Sequence, residues 1–269
     1  MIPKAIFNWS TGKDSALALH KVLQSGEYDV AWLLTTVNAR YDRVSMHGVR
    51  TELLEAQAAS LGIPLVQVRL PETPTMDAYE CAMRETLGQL RDKGATVSIF
   101  GDIFLEDLRV YREQQLAKSG LQAVFPLWQI PTDVLAREVI QLGFTAITTC
   151  VNAQHLDRDF VGREFNDSFV KELPAGVDPC GENGEFHTFV CNGPIFQHPV
   201  RVAVGDIVHR QYEQLPVRGE NEVADDAAAE SRDSTGRESY DCGSRSGAKA
   251  ADDTSPGAAG FWYCDLLRT

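Results

Sequence analysis

The sequence has six cysteines, at 81, 150, 180, 191, 242 and 264, and no Cys-x-x-Cys pair among them. The usual zinc-ribbon and thioredoxin-type signals are therefore missing, and most of these side chains are expected as buried small hydrophobes or reduced thiols. No apolar run approaches the ~20 residues that a membrane helix needs, so no membrane partner is expected. The opening residues, Met1-Ile2-Pro3-Lys4, pass straight into a strand pattern without the layout of a secretory signal. A cytoplasmic location is expected by default. Basic residues are outnumbered, 25 against 38 acidic ones for a net charge of −13, which argues against a broad nucleic-acid grip. The Gly-x-x-x-x-Gly-Lys-Ser/Thr loop of P-loop enzymes is absent as well.

What remains is an ordinary globular composition, 43% hydrophobic over 269 residues. Strand-like runs at 5–9, 30–36, 65–69, 97–101 and 146–151 alternate with helical patterns at 14–24, 49–61, 76–93, 105–118 and 133–142. Such alternation predicts an α/β fold, a Rossmann-like parallel sheet with helices on both faces, whose ligand site lies at the carboxyl ends of the strands. After about residue 150 the pattern changes to a helix at 160–173 and β-like runs at 185–191, 200–211 and 261–267. The expected organisation is a nucleotide domain at 1–150 and a smaller α+β domain at 151–269. Within the latter, 219–259 holds ten acidic and four basic residues, with Val223 and Tyr240 as its sizeable hydrophobes. It is expected as a disordered acidic insertion, because it has too little apolar surface to offset the entropy of ordering.

The first strand ends in Ser10-Thr11-Gly12-Lys13-Asp14-Ser15, and a helix follows at once. A helix N-terminus offers free N–H groups and a positive dipole end. Gly12 allows close backbone approach, Ser10, Thr11 and Ser15 bring hydroxyls, and Lys13 brings charge. These are the parts of an anion pocket. The hexapeptide resembles the Ser-Gly-Gly-x-Asp-Ser pyrophosphate loop of the adenine nucleotide α-hydrolase superfamily. That resemblance implies ATP held by its β and γ phosphates while a substrate oxygen attacks the α phosphate. Thr11 departs from the usual glycine.

Two further clusters carry polar chemistry. Gly101-Asp102 through Arg112 follows the strand at 97–101, so Asp102 is a candidate for Mg²⁺ or a substrate polar group, and Arg109 and Arg112 are candidates for phosphate. Asn183-Gly184 signals a tight turn, flanked by Glu182 and Glu185 and followed by His187. Two carboxylates and an imidazole there suit proton transfer, although an exposed polar hairpin would show the same residues.

Taken together, Ser10–Ser15, the segment 46–50 (Met-His-Gly-Val-Arg), 101–107 and Gly181-Glu182-Asn183-Gly184-Glu185-Phe186-His187-Thr188 resemble the diphthine–ammonia ligase family over about residues 4–212 and the last strand, with features similar to its bacterial branch. The resemblance implies an ATP-dependent, AMP-forming carbon–nitrogen ligase that activates a carboxylate as an acyl-adenylate and transfers ammonia. ATP and Mg²⁺ are the implied cofactors. The implied partners are a small-molecule or protein-borne carboxylate and ammonia, and a homo-oligomer stays open. The nucleotide side would comprise Ser10, Thr11, Gly12, Lys13, Asp14, Ser15, His47, Arg50, Gly101 and Arg109, with Asp14 and Asp102 at the metal. The chemistry side would comprise Glu182, Glu185, His187 and Asp102. The alternatives are a tRNA-modifying enzyme with the same loop, weakened by the missing catalytic cysteine pair, and a non-catalytic adenine-nucleotide binder. Asn152, His155 and Asp157, beyond the run at 146–151, are weaker candidates for the substrate pocket.

Overall fold

The central strand is apolar on both faces. In β1 (Lys4–Asn8), Ala5, Ile6 and Phe7 are all fully buried, as expected of a parallel strand covered on both sides. A computed structural model describes residues 2–45, 47–212 and 259–269. Along the chain, α1 (Lys13–Ser25) follows β1, then β2 (Asp29–Asn38), β3 (Arg43–Val44), α2 (Thr51–Leu61), β4 (Leu65–Leu70), α3 (Met76–Asp92), β5 (Ala95–Ile99), α4 (Glu106–Lys118), β6 (Gln122–Val124) and α5 (Thr132–Gln141). β1 pairs in parallel with β2 and β5, β2 with β4, and β5 with β6, while the two-residue β3 runs antiparallel to the end of β2. The chain thus leaves β1 to one side first and returns on its other side later. That reversal opens a crevice at the carboxyl ends of β1 and β5.

The second sheet is formed by β7 (Thr145–Asn152), β8 (Phe186–Asn192), β9 (Val202–Tyr212) and β10 (Ala259–Arg268) in the order β8-β7-β10-β9. Here the sequence reading is corrected. The run 146–151 was expected to complete the parallel sheet, but β7 pairs antiparallel with both β8 and β10. Most of β7 is buried, so it lacks the alternation that marks an antiparallel strand with one wet face. The single helix expected at 160–173 is a 3₁₀ turn, Arg158–Phe160, and a short α6 (Asp167–Glu172). Gly162, at φ 80°, and a bridge from Glu164 to Ile147 separate them. The acidic insertion read at 219–259 lies outside the described residues, apart from Ala259 at the start of β10.

Both sheets belong to one unit, Met1–Gln211 with Ala259–Thr269. Its larger core runs from Phe7, Leu17 and Leu33 to the phenylalanines 165, 169, 186 and 189. A smaller core around Ile6, Leu34, Phe100 and Leu116 lies on the opposite face of the first sheet. Ile6 and Phe7 are neighbours in a strand, so they feed the two cores separately. No helix among the described residues is long and apolar enough to cross a membrane.

Candidate active site

The loop after β1 is tied down from several directions. Ser10 Oγ donates to Ser15 Oγ at 3.0 Å, and Ser15 Oγ donates to the Gly12 carbonyl at 2.9 Å. Gly12 is the helix N-cap and has no side chain to cap with. The first helical N–H, from Lys13, donates instead to Thr188 Oγ1 on β8 at 3.1 Å. Thr11 sits in the left-handed region at φ 74° and is fully buried. Its carbonyl accepts from Val190 N at 3.0 Å and from Gln57 Nε2 at 3.1 Å. The conformation that glycine would adopt freely is therefore held here by β8 and α2, at a cost of order 1–3 kcal/mol.

Gly101, after β5, leans on the same helix start. A Cβ there would come 3.1 Å from Ser15 N and Cα, so a side chain would push the end of β5 off the loop. The two strand ends enclose a cleft of about 360 Å³, within the usual range for small-molecule sites. Of the residues read from the sequence, Ser10, Gly12, Lys13, Asp14, Ser15, His47, Gly101, Asp102, Arg112, Glu182 and His187 line it.

Lys13 is buried. Its Nζ donates to Asp14 Oδ2 at 2.9 Å and to the Cys180 carbonyl, and it lies over the rings of Phe165 and Phe186 at 5.3 and 5.0 Å. Burial opposes its charge, but Asp14, Cys180 and Glu182 outweigh that and leave its pKa raised. The other oxygen of Asp14, Oδ1, is buried without a partner. Asp102 faces Arg112: Nη2 donates to Oδ1 at 3.2 Å, while Nε lies 2.8 Å from Oδ2 without hydrogen-bond alignment. Burial raises the Asp102 pKa, and Arg112 opposes the rise.

Glu182 and His187 come from the second sheet's side. Glu182 Oε1 accepts from Ile103 N, just beyond β5, at 2.8 Å. Burial, with Asp14 and Asp102 nearby, pushes its pKa up to about 7. The His187 ring stacks on His47 with centroids 4.5 Å apart. Burial, followed by the Lys13 charge, lowers the His187 pKa to about 4. Burial also lowers that of His47, reinforced by His187 and Lys13, and its Nδ1 has no partner.

The structure does not bring the other candidates into the cleft. Arg50 donates from Nε and Nη2 to Asp265 at 2.9 and 2.7 Å. Arg109 lies over Trp128 and Phe125 at 4.6 and 5.2 Å and pairs with Glu113 one helical turn on. Glu185 is buried in its own turn, accepting from Asp178 N, Asn183 N and Asn183 Nδ2 at 3.0, 3.0 and 3.1 Å. It shapes the loop that presents Glu182. Asp178 shares the task, with Oδ1 accepting from Cys180 N and Glu182 N. Among the described residues, no group of three His, Cys, Asp or Glu is arranged to hold a metal.

Sequence reasoning missed Gln57, Thr188 as a cap, Asp178 and the Cys180 carbonyl. Gln57 could have been found, since it interrupts the buried stripe Leu53, Leu54, Ala58, Leu61 of α2. A polar residue at an apolar helical position asks for buried partners.

An α/β cleft at a strand-to-helix Ser-Thr-Gly-Lys-Asp-Ser loop, faced by the carboxylate-bearing turn before β8, is the class of site defined by this geometry. Comparison with known proteins agrees. The family described as diphthamide synthase N-terminal domain matches residues 3–123, and the diphthamide synthase C-terminal domain matches 131–217. The diphthine–ammonia ligase of Mus musculus is 30% identical over 224 residues, 74% of this chain and 82% of that one. Those of Homo sapiens and Danio rerio are each 26% identical, covering 74% and 77% of this chain and 82% and 90% of theirs. Among solved structures, a predicted subunit of tRNA methyltransferase from Methanocaldococcus jannaschii is 21% identical, with a TM-score of 0.35 over 54% of this chain and 77% of that one. The chain belongs to the diphthamide synthase family, and it is an ATP-dependent ligase.

Proposed function

We propose that this chain activates a carboxylate with ATP as an acyl-adenylate and transfers ammonia to it, releasing AMP and pyrophosphate. The observation that carries the reading is the convergence of both matched regions on one cleft, with Lys13 and Glu182 both lining it. Ammonia and the ligase type are taken over from the relatives' names. The acyl substrate is left as a small-molecule or protein-borne carboxylate.

In this reading the polyphosphate sits at the start of α1, where backbone N–H groups, Ser10, Ser15 and the Lys13 charge favour an anion. The leaving group is a highly charged pyrophosphate, and its grip lowers the cost of breaking the α–β bridge. The carboxylate oxygen attacks the α phosphorus, and the bridging bond breaks. Ammonia nitrogen then attacks the acyl carbon, the carbon–oxygen bond to AMP breaks, and a proton leaves nitrogen for the Glu182 carboxylate. A group with a pKa of about 7 is well matched to accept it near neutrality. His187, neutral and packed against His47, keeps positive charge away from the approaching ammonia. The unpartnered Asp14 Oδ1, with Asp102 across the cleft, suits Mg²⁺, a hard cation that takes one or two carboxylates and phosphate oxygens. When bound it would neutralise phosphate charge.

The test is to incubate the protein with ATP, ammonium and a panel of carboxylates and to separate AMP from ADP. AMP and pyrophosphate should form together and only when a carboxylate substrate is present. ADP as the nucleotide product sinks the reading.

A further inference from the structure

The loop between β3 and α2 carries His47 to the phosphate loop, and its neck is electrostatically awkward. Arg43 and Arg50 face each other there in an antiparallel bridge, and like charges directly opposite destabilise such a pair. One carboxylate from the far end of the chain resolves it. Asp265 Oδ1 accepts from Arg43 Nη2 and from Arg50 Nε, both at 2.9 Å, while Oδ2 accepts from Arg50 Nη2 at 2.7 Å. Charge-assisted, bidentate bonds of this kind fix geometry as well as neutralise charge. Arg43 Nη1 also holds the Gly48 carbonyl at 2.6 Å.

A second contact docks the loop on the same strand. Tyr263 and Asp265 share one face of β10. Gly48 has φ 67°, and a Cβ there would come 3.0 Å from the Tyr263 ring. Tyr263 is paired with Cys150 across the sheet, and Cys150 with His187. Directly paired residues project to the same face, so Tyr263, Cys150 and His187 form one row. The loop lies along that row, with Gly48 on Tyr263 and His47 stacked on His187. His47 Cε1 ends 3.5 Å from where a Gly12 side chain would begin.

We propose that Asp265 is a positioning residue of the nucleotide site: from the last strand it pins the 43–50 loop and so holds His47 against the phosphate loop and His187. The positioning follows from contacts within the chain, and its effect on nucleotide rests on the ATP reading above.

Asp265→Asn keeps the shape and removes the charge. The imidazole Cε1–H resonance of His47, assigned with His47→Gln, reports the loop directly. In the parent protein it titrates well below the ordinary histidine range because His47 is buried beside His187 and Lys13. In Asp265→Asn the loosened loop hydrates, the titration moves up toward the ordinary value, and ATP affinity falls about tenfold or more. Asp265→Glu, which keeps the charge, restores both in part. A folded Asp265→Asn protein in which the His47 titration stays put overturns the proposal, whatever ATP does. A shifted titration with unchanged ATP affinity upholds the pinning of the loop but overturns its role at the nucleotide, whereas a parent protein that binds no ATP refutes the nucleotide reading of the cleft and leaves the pinning to the titration alone. If Asp265→Asn does not fold, the double variant Arg43→Gln, Arg50→Gln removes both partners of Asp265 and is read by the same two measurements with the same outcomes.

Discussion

The carboxylate of Glu185 accepts three N–H groups from Asp178 and Asn183, whereas that of Glu182 accepts one, from Ile103. Three positions apart, the two side chains therefore have different work. Glu185 is consumed by the turn, so Glu185→Gln replaces one acceptor with a donor facing a donor. Expected is a stability loss of about 1–3 kcal/mol by urea unfolding, with turnover in the still-folded fraction reduced far less than stability. Glu182→Gln, which removes a carboxylate whose charge burial disfavours, should be at least as stable as the parent at neutral pH and lower turnover by roughly 10²–10⁴-fold. Its pKa is about 7, so the base form predominates above that pH. Hence kcat/KM should rise with pH through about 7 in the parent, and that limb should vanish in Glu182→Gln. Reversed phenotypes, with Glu185→Gln stable and inactive, would return the catalytic role to Glu185.

Between elements, α1, α2 and β8 meet through buried polar groups. Gln57 accepts from Trp9 Nε1 at 2.8 Å and donates to the carbonyls of Thr11 and Val190 at 3.1 and 2.7 Å. It links the loop after β1 to the second sheet while wholly buried. Gln57→Leu nearly conserves volume but orphans the Trp9 N–H and removes a donor from the carbonyls of Val190 and Thr11, the latter keeping Val190 N, so it should cost about 3 kcal/mol in denaturant unfolding and weaken ATP binding. A loss under about 0.5 kcal/mol would show that the sheets do not depend on this link. Much at this scale was legible in the sequence. The alternating runs gave β1, β2, β4 and β5 with their helices, because a buried parallel strand and an amphipathic helix differ in period. The side of β7 was not legible, since a strand buried on both faces reads alike in either kind of sheet. Nor was the fate of Arg50 and Arg109. Their partners, Asp265 and Trp128, lie 215 and 19 positions away, and no local spacing announces such a pair. The cleft-lining half of the site was readable because its residues follow strand ends.

Across the whole molecule, two buried groups give folding opposite responses to acid. His187 has its pKa lowered to about 4 by burial and Lys13. As pH falls below about 6.5 the unfolded chain takes up a proton that the folded protein refuses until about pH 4. Stability is therefore lost across that window, on the order of 3 kcal/mol in all. Glu182 works the other way. Its folded pKa of about 7 lies above the ordinary carboxylate value, so between pH 7 and about 4.5 the folded protein binds the proton first and gains stability as pH falls. In the parent these two slopes oppose each other between pH 6.5 and 5, and buried His47, lowered in the same direction as His187, adds a loss of stability as pH falls that all three proteins share. Each variant should expose the partner's slope. His187→Asn should become more stable relative to the parent as pH falls from 7 to 5, and Glu182→Gln less stable, when urea midpoints are compared at each pH. The net charge of −13 adds a background that changes with pH, but it is nearly common to all three proteins and drops out of the differences. Parallel profiles for the three would mean that neither group is held in the folded state at the pKa assigned to it. The proton-accepting role of Glu182 would then lose its physical basis, because that role depends on the same burial.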